Sequence, residues 1–165
     1  MDLEMVTKND AKEDIKIIAK RLALVYYFFV KNLIEELGEE ETERIVKKMI
    51  AQYGSYCGER VKEKVVGMNL ELKAENYGKG KDLPALGWDI SLVESDENSL
   101  TYEFGNCPFA EQWKELNFEK WGRLYCYIDQ AKYSTFNSQL QCFHDENVLD
   151  GDKTCYIRLT NEEGI

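Results

Sequence analysis

An apolar stripe near the start of the chain constrains the fold more than any other sequence feature. Its members recur every three or four residues, which is the spacing of one face of an α-helix: Ile15, Ile18, Leu22, Val25, Phe29 and Leu33. Asn9 can cap the start of this helix, and Gly38 can cap its end. Because such a stripe needs a neighbour to cover it, the sequence predicts a second element packed on this helix.

A second helix is predicted directly after the first. The acidic run at 39–41 suits a helix N-terminus, and apolar residues then follow at four-residue steps: Ile45, Met49 and Tyr53. Gly54 and Gly58 share one face of this helix, where bare backbone permits close approach by another element or by a ligand. Close packing is the favoured interpretation of the two glycines.

The hydrophobic period changes to two after a glycine-rich loop predicted for residues 67–87. Alternation over 88–94 and 100–105, on either side of the turn "SDENS", predicts a β-hairpin. Two further strands are predicted at 140–144 and 154–159, around a turn that contains an Asp-Gly pair.

Helical spacing returns between the two hairpins, from Phe109 to Ala131, and fades near Thr135. The sequence therefore predicts an α+β fold, with N-terminal helices packed on an antiparallel sheet built from two hairpins and a helical segment between them. A single domain is predicted over 1–165, with a helical part at 1–66 and a hairpin-helix-hairpin part at 88–160.

Charge and apolar runs exclude several classes of partner. The net charge of −10 disfavours both nucleic acid and anionic membrane surfaces. The apolar run at 22–30 is far shorter than the ~20 residues of a membrane span. Acidic residues near the N-terminus do not fit a signal peptide, so a cytoplasmic location is expected. The sequence is compatible with a homo-oligomer and does not define its size.

The five cysteines are expected to be free thiols, because their number is odd and the cytoplasm keeps thiols reduced. No cofactor is predicted. A zinc site that combines Cys107, Cys126 and Cys155 with Asp129 or His144 is the main chemical alternative. The wide spacing of these residues makes that alternative weak, and no bound metal is expected.

Cys107 is followed by Pro108 where the first hairpin ends and a helix begins. Proline suits the first turn of a helix, which places Cys107 at the cap, beside backbone N–H groups that favour a thiolate. This position predicts a thiol pKa below the ~8.5 of a free cysteine, and a nucleophile. An ordinary turn residue is the alternative interpretation.

Cys126 and Asp129 lie three residues apart and so share a helical face. Asp129 could act as a general base, or could orient a thiol or a water molecule. The alternative is a buried cysteine beside an exposed aspartate. His144 is the only histidine of the chain, and a lone histidine is more often structural than catalytic.

The segments "CPFAEQWKELNF", "LYCYIDQAKYSTFN" and "LDGDKTCYIRL" stand in an order that resembles the L-2-amino-thiazoline-4-carboxylic acid hydrolase family. The resemblance covers residues 40–160, and its matching positions are Cys107-Pro108, Cys126 with Asp129, Phe136, Gly151 and Cys155. The order of helices and strands is also distantly similar to that of 4-vinyl reductase-type ligand-binding domains.

The resemblance implies a hydrolase that opens a thiazoline-type cyclic amidine at the carbon between nitrogen and sulfur. The implied catalytic residues are Cys107, Asp129 and Cys126, and the implied substrate-binding residues are Trp113, Phe136, His144 and Cys155. Either the Cys107 thiolate attacks this carbon, or Asp129 activates water while Cys107 only shapes the pocket. The alternative function is a non-catalytic small-molecule-binding or metal-binding module.

Overall fold

Two long helices form the N-terminal part of the fold, as the apolar spacing predicted. The computed structural model describes residues 6–96 and 98–161. Helix α1 spans Lys8–Leu37 and helix α2 spans Glu39–Gly67, with Gly38 between them at a φ of +79°. No helix in these two ranges is both long and apolar enough to cross a bilayer.

The predicted start of α1 was wrong by two residues. Thr7 caps the helix, because its hydroxyl accepts a hydrogen bond of 3.1 Å from the backbone N–H of Asp10. A cap side chain must bond to the N–H two or three positions further along. Asn9 already lies inside the helix and cannot do this.

The predicted buried face of α1 was also wrong. The side chains that α1 buries are Ala19, Ala23, Tyr26 and Val30. Most of the predicted stripe is exposed instead, including 59% of Ile18 and 67% of Val25. The cause is the fully buried Trp113, whose indole N–H donates to the carbonyl of Ala23 at 3.0 Å. Because the indole lies this close to α1, only small side chains fit between it and the helix backbone.

Four strands form one antiparallel sheet in the order β1-β2-β4-β3, which confirms the predicted α+β class with its two hairpins. Their bounds are Ile90–Ser95 for β1, Ser99–Phe104 for β2, Leu140–Glu146 for β3 and Cys155–Asn161 for β4. The two hairpins join because β2 pairs with β4, with Tyr102 opposite Ile157.

Short helices fill the connections. The region predicted as a plain loop contains helix α3, Ala74–Tyr77, and two 3₁₀ turns at Gly78–Gly80 and Ala85–Gly87. The helical segment between the hairpins consists of three helices: α4, Pro108–Glu115; α5, Glu119–Cys126; and α6, Ile128–Phe136. Helix α6 packs on β3 on one side and on α2 on the other.

The contact between α2 and α6 depends on the two glycines. A methyl group at Gly54 would lie 2.7 Å from the Cβ atom of Ala131, and one at Gly58 would overlap the carbonyl oxygen of Lys132. Gly54 and Gly58 therefore allow the two helix backbones to approach closely, as the favoured interpretation predicted.

We expect Gly58→Ala to lower the free energy of unfolding by about 1–3 kcal/mol, because the new methyl group must push α6 away from α2. Urea denaturation followed by circular dichroism measures the change. Gly67→Ala is the matched control, because a methyl group there meets nothing within 4 Å; it should leave the stability unchanged or slightly raised. Equal stabilities for the two variants would contradict this view of the helix contact.

Candidate functional site

A cavity of about 340 Å³ lies between the helices and the inner face of the sheet. Most of its wall is aromatic and aliphatic, including Trp88, Phe109, Trp113, Tyr125, Tyr102 and Ile157. Charged and polar side chains form one part of the wall: Asp82, Asp129, Lys132 and His144. An apolar cavity with a few convergent polar groups is the usual form of a small-molecule site.

Six of the seven side chains proposed from the sequence line this cavity: Cys107, Trp113, Cys126, Asp129, His144 and Cys155. Phe136, which was expected to bind substrate, instead lies in the core between α2 and β3, with its ring centroid 5.1 Å from that of Tyr77. Phe136 therefore packs in the core and does not line the cavity.

Lys132 forms the centre of the polar wall. Its ammonium lies 2.8 Å from a carboxylate oxygen of Asp129 and 3.1 Å from one of Asp82. The Asp82 carboxylate also accepts a hydrogen bond of 3.2 Å from the Tyr77 hydroxyl. The Lys132 side chain is only 11% exposed, so these two carboxylates replace water in stabilising its charge.

His144 continues this chain of hydrogen bonds towards the surface. Its Nε2 atom lies 3.0 Å from Asp129, and its Nδ1 atom lies 3.1 Å from a guanidinium nitrogen of Arg123, which in turn pairs with Asp150. Because a guanidinium only donates, Nδ1 accepts and the Nε2–H group donates to Asp129. Both ring nitrogens of His144 are therefore occupied by protein partners.

The ion pairs of Lys132 with Asp129 and Asp82 form a charge chain. This charge chain keeps Asp129 and Lys132 ionised. Burial opposes ionisation of Asp129, but the charge of Lys132 and the hydrogen bond from His144 hold its pKa below the ordinary value. Burial likewise opposes the charge of Lys132, but Asp129, the tyrosines and Asp82 around it raise its pKa well above the ordinary value. A carboxylate that stays ionised at every physiological pH orients a partner better than it accepts a proton.

The cysteine thiols of the cavity are not acidic, which contradicts the pKa predicted for Cys107. Cys107 does cap α4, but burial raises its pKa to about 11, although the backbone N–H groups of Ala110 and Phe109 favour the thiolate. Burial also raises the pKa of Cys126 to about 12. The loss of water around the sulfur outweighs the helix N-terminus, so both thiols are protonated at neutral pH.

The described residues contain no cluster of three or more His, Cys, Asp or Glu side chains arranged to hold a metal ion. His144 directs both ring nitrogens to protein partners. Cys126 lies against the carbonyl of Gly122, and Cys155 accepts from the N–H of Val148. The side chains of the zinc alternative are thus engaged with neighbouring protein groups.

The sequence did not lead to Lys132, which is the cation of the site, or to Asp82, which is its second carboxylate. Lys132 follows Asp129 by three residues on one helix, and this spacing could have indicated the pair. Asp82 lies in the segment between α3 and β1, and no sequence pattern relates it to a residue 50 positions away. Arg123, which binds His144, also carries no sequence pattern that relates it to that residue.

We expect Asp129→Asn to lower the free energy of unfolding at neutral pH by about 3–5 kcal/mol, because it leaves the buried Lys132 with one carboxylate. The pKa of Asp129 is lower in the folded chain. Its contribution is therefore complete above the unfolded value of ~3.9 and is lost as the pH falls. Urea titrations at several pH values should show the wild-type advantage shrinking below about pH 4.

Asp145→Asn is the matched control for this measurement. Asp145 also forms an ion pair, with Arg158 at 2.7 Å, but the two side chains are 40% and 36% exposed. An exposed pair contributes about 1 kcal/mol or less, so this variant should stay close to the wild type. If Asp129→Asn were no more harmful than Asp145→Asn, the charge chain would not stabilise the fold.

We expect iodoacetamide to alkylate Cys107 slowly at neutral pH, because the raised pKa leaves little thiolate. The rate should rise about tenfold per pH unit and level off near pH 11. Peptide mass spectrometry of the alkylated protein measures the rate at each cysteine separately. A rate that levels off near neutral pH would restore the acidic thiol that the sequence predicted.

The solved structures that are similar to this chain include the following two proteins. The chain is similar to a trafficking protein particle complex subunit 3 from Naegleria fowleri covalently bound to palmitic acid, at 15% identity and a TM-score of 0.56, over 91% of this chain and 98% of that one. It is also similar to the phenol-responsive sensory domain of the transcription activator PoxR with phenol, at 14% identity and a TM-score of 0.57, over 89% of this chain and 76% of that one. At these identities the two likenesses show the fold alone.

No curated protein matches the chain in sequence. The family profile for L-2-amino-thiazoline-4-carboxylic acid hydrolase matches residues 18–159, which include every side chain of the polar wall. The match covers far more than half of the chain and agrees with the resemblance seen in its ordered motifs. The chain belongs to the L-2-amino-thiazoline-4-carboxylic acid hydrolase family.

Proposed function

We propose that the protein hydrolyses a small cyclic amidine of the thiazoline type and opens its ring at the carbon between nitrogen and sulfur. The observation that carries this proposal is the charge chain of Asp82, Lys132 and Asp129 on the wall of an otherwise apolar cavity. A buried array with both signs of charge is complementary to a small substrate that itself carries both signs.

An aminothiazoline carboxylate is such a substrate. Its amidinium group is planar and presents N–H donors on two nitrogens, which suit the carboxylate oxygens of Asp129 and Asp82. Its carboxylate needs a cation, and Lys132 has three N–H donors. Asp129 and Asp82 accept two of them, so the third is available for the substrate.

The thiols and aromatic rings suit the other part of the substrate. Cys107, Cys126 and Cys155 line the cavity beside Trp88 and Phe109. Protonated thiols and aromatic edges are weakly polar and pack well against a ring sulfur. These groups would hold the sulfur-bearing edge while the charged wall holds the amidinium.

The reaction consumes one water molecule. The water oxygen forms a bond to the amidine carbon, and the bond from this carbon to the ring sulfur then breaks. Because the ring nitrogen of the amidinium already carries a proton, one water proton ends on the departing sulfur and the other is released to solvent, which gives an N-carbamoyl amino acid with a free thiol. Asp129 would orient the attacking water, and its charge would stabilise the positive charge that develops on the water oxygen during attack.

Attack by water is favoured over attack by the Cys107 thiolate. A thiol with a pKa of about 11 is almost entirely protonated at neutral pH. Asp129, in contrast, is ionised and is held in one orientation by His144 and Lys132. In this route Cys107 shapes the cavity, and the protonated amidinium is electrophilic enough to react with an oriented water molecule.

Release of the product thiol tests this proposal directly. Incubation with 2-amino-thiazoline-4-carboxylate should generate thiol that reacts with Ellman's reagent. We expect Asp129→Asn to lose about 100-fold or more in kcat/KM, with circular dichroism confirming that the variant is folded in the assay. Cys107→Ala should stay within about tenfold of the wild type, since it changes only the cavity wall.

The other outcomes are informative. A folded Cys107→Ala variant without activity would establish the thiolate route instead. If the wild type released no thiol from the thiazoline or from related cyclic amidines, the hydrolase proposal would fail.

A ligand-binding module without catalysis is the second candidate, and the protonated thiols together with the fully engaged His144 favour it. Its support from related folds is the phenol-responsive sensory domain, which has a similar fold. This function predicts that the thiazoline or phenol raises the melting temperature of the protein while no thiol is released.

A further inference from the structure

The outward face of α1 carries six large apolar side chains, each between 54% and 67% exposed: Ile17, Ile18, Leu22, Val25, Phe28 and Phe29. No side chain within residues 6–96 or 98–161 covers them. Six large side chains that are each more than half exposed form a patch on the order of the ~300–600 Å² found for the largest apolar patch of an ordinary monomer. We propose that this face binds a second copy of the same chain, so that two α1 helices pack across a two-fold axis.

The size of the face supports a dimer. Two copies placed face to face would bury on the order of 1,000 Å² in total, which is the size expected of a specific interface. Two-fold pairing uses the same patch on both copies and leaves no further copy of it exposed. Growth therefore stops at two chains.

The positions on the face suit antiparallel packing centred on Val25. At 100° per residue, Leu22 of one copy lies opposite Phe29 of the other, and Arg21 lies opposite Phe28. Arg21 is exposed and has no acidic partner among the described residues. A guanidinium over an aromatic ring is a favourable contact, so this pairing provides Arg21 with a partner.

Charge at the ends of the face disfavours a lipid surface as the occupant. Asp14 and Glu36 lie on the same helical line as Val25, one on each side of the apolar residues. Both would have to enter an anionic membrane surface if the helix lay on it, and the whole chain is acidic. In a crossed pair of helices they lie beyond the contact, because helices that cross diverge away from the centre.

Sedimentation velocity tests the proposal on the full chain. At micromolar concentration we expect the wild type to sediment as a particle of twice 19.2 kDa, and Val25→Glu to sediment as a monomer with the same far-UV circular dichroism. Tyr56→Glu, at a position on α2 that is 65% exposed, is the matched control and should remain dimeric. The double variant Leu22→Ala with Phe29→Ala adds no charge and should weaken the dimer at least tenfold.

A wild type that is monomeric throughout this range would overturn the proposal. A dimer that persists unchanged in Val25→Glu would place the interface elsewhere on the surface. Flotation with vesicles of phosphatidylserine and phosphatidylcholine tests the lipid alternative, and wild-type protein that floats as a monomer through this face would overturn the dimer in favour of a membrane contact. Because Val25 is remote from the cavity, thiol release by Val25→Glu separates a failed interface from a failed active site.

Discussion

The charge of Lys132 is the constraint on which the pocket depends. An ammonium that is 11% exposed costs several kcal/mol in lost hydration unless carboxylates surround it. Asp129 meets part of this need from one turn away on α6, and Asp82 meets the rest from the segment between α3 and β1. The ion pairs therefore fix more than two side chains. They attach an irregular segment to the helix that forms the cavity wall, and so they close one side of the cavity.

Helix α6 is positioned by two glycines of α2, which have no side chains to hold it away. The Cα atom of Gly58 lies against the carbonyl of Lys132, and the Cα atom of Gly54 lies against Ala131 and Ile128. This contact holds one side of α6 against α2, while Asp129 on α6 meets His144 from β3. Close packing and charge placement thus cooperate, because a helix displaced by an added methyl group would also displace the ammonium from its carboxylates.

Local patterns predicted the elements, whereas contacts between distant residues determined the site. Alternation predicted the first hairpin, and the Asp-Gly turn signal predicted the second. The Cys-Pro pair, which is also a local pattern, correctly located the start of α4. The acidity of Cys107 could not be predicted, because it depends on how much water the folded chain removes from the sulfur. Phe136 was expected beside the cavity, but its contacts in the core depend on α2 and Tyr77, which are distant in sequence.

The first helix shows why periodicity finds a helix more reliably than it finds the buried side. Helix α1 has two apolar faces: a narrow one of Ala19, Ala23, Tyr26 and Val30, and a broad one of large aliphatic and aromatic side chains. A count of apolar residues selects the broad face. The fold selects the narrow one, because Trp113 requires small neighbours and a backbone carbonyl as its acceptor. The core therefore leaves the larger apolar face exposed. The rule that the broad apolar face of a helix is buried in its own core fails here over several turns, so the residues of that face are explained by something other than the core.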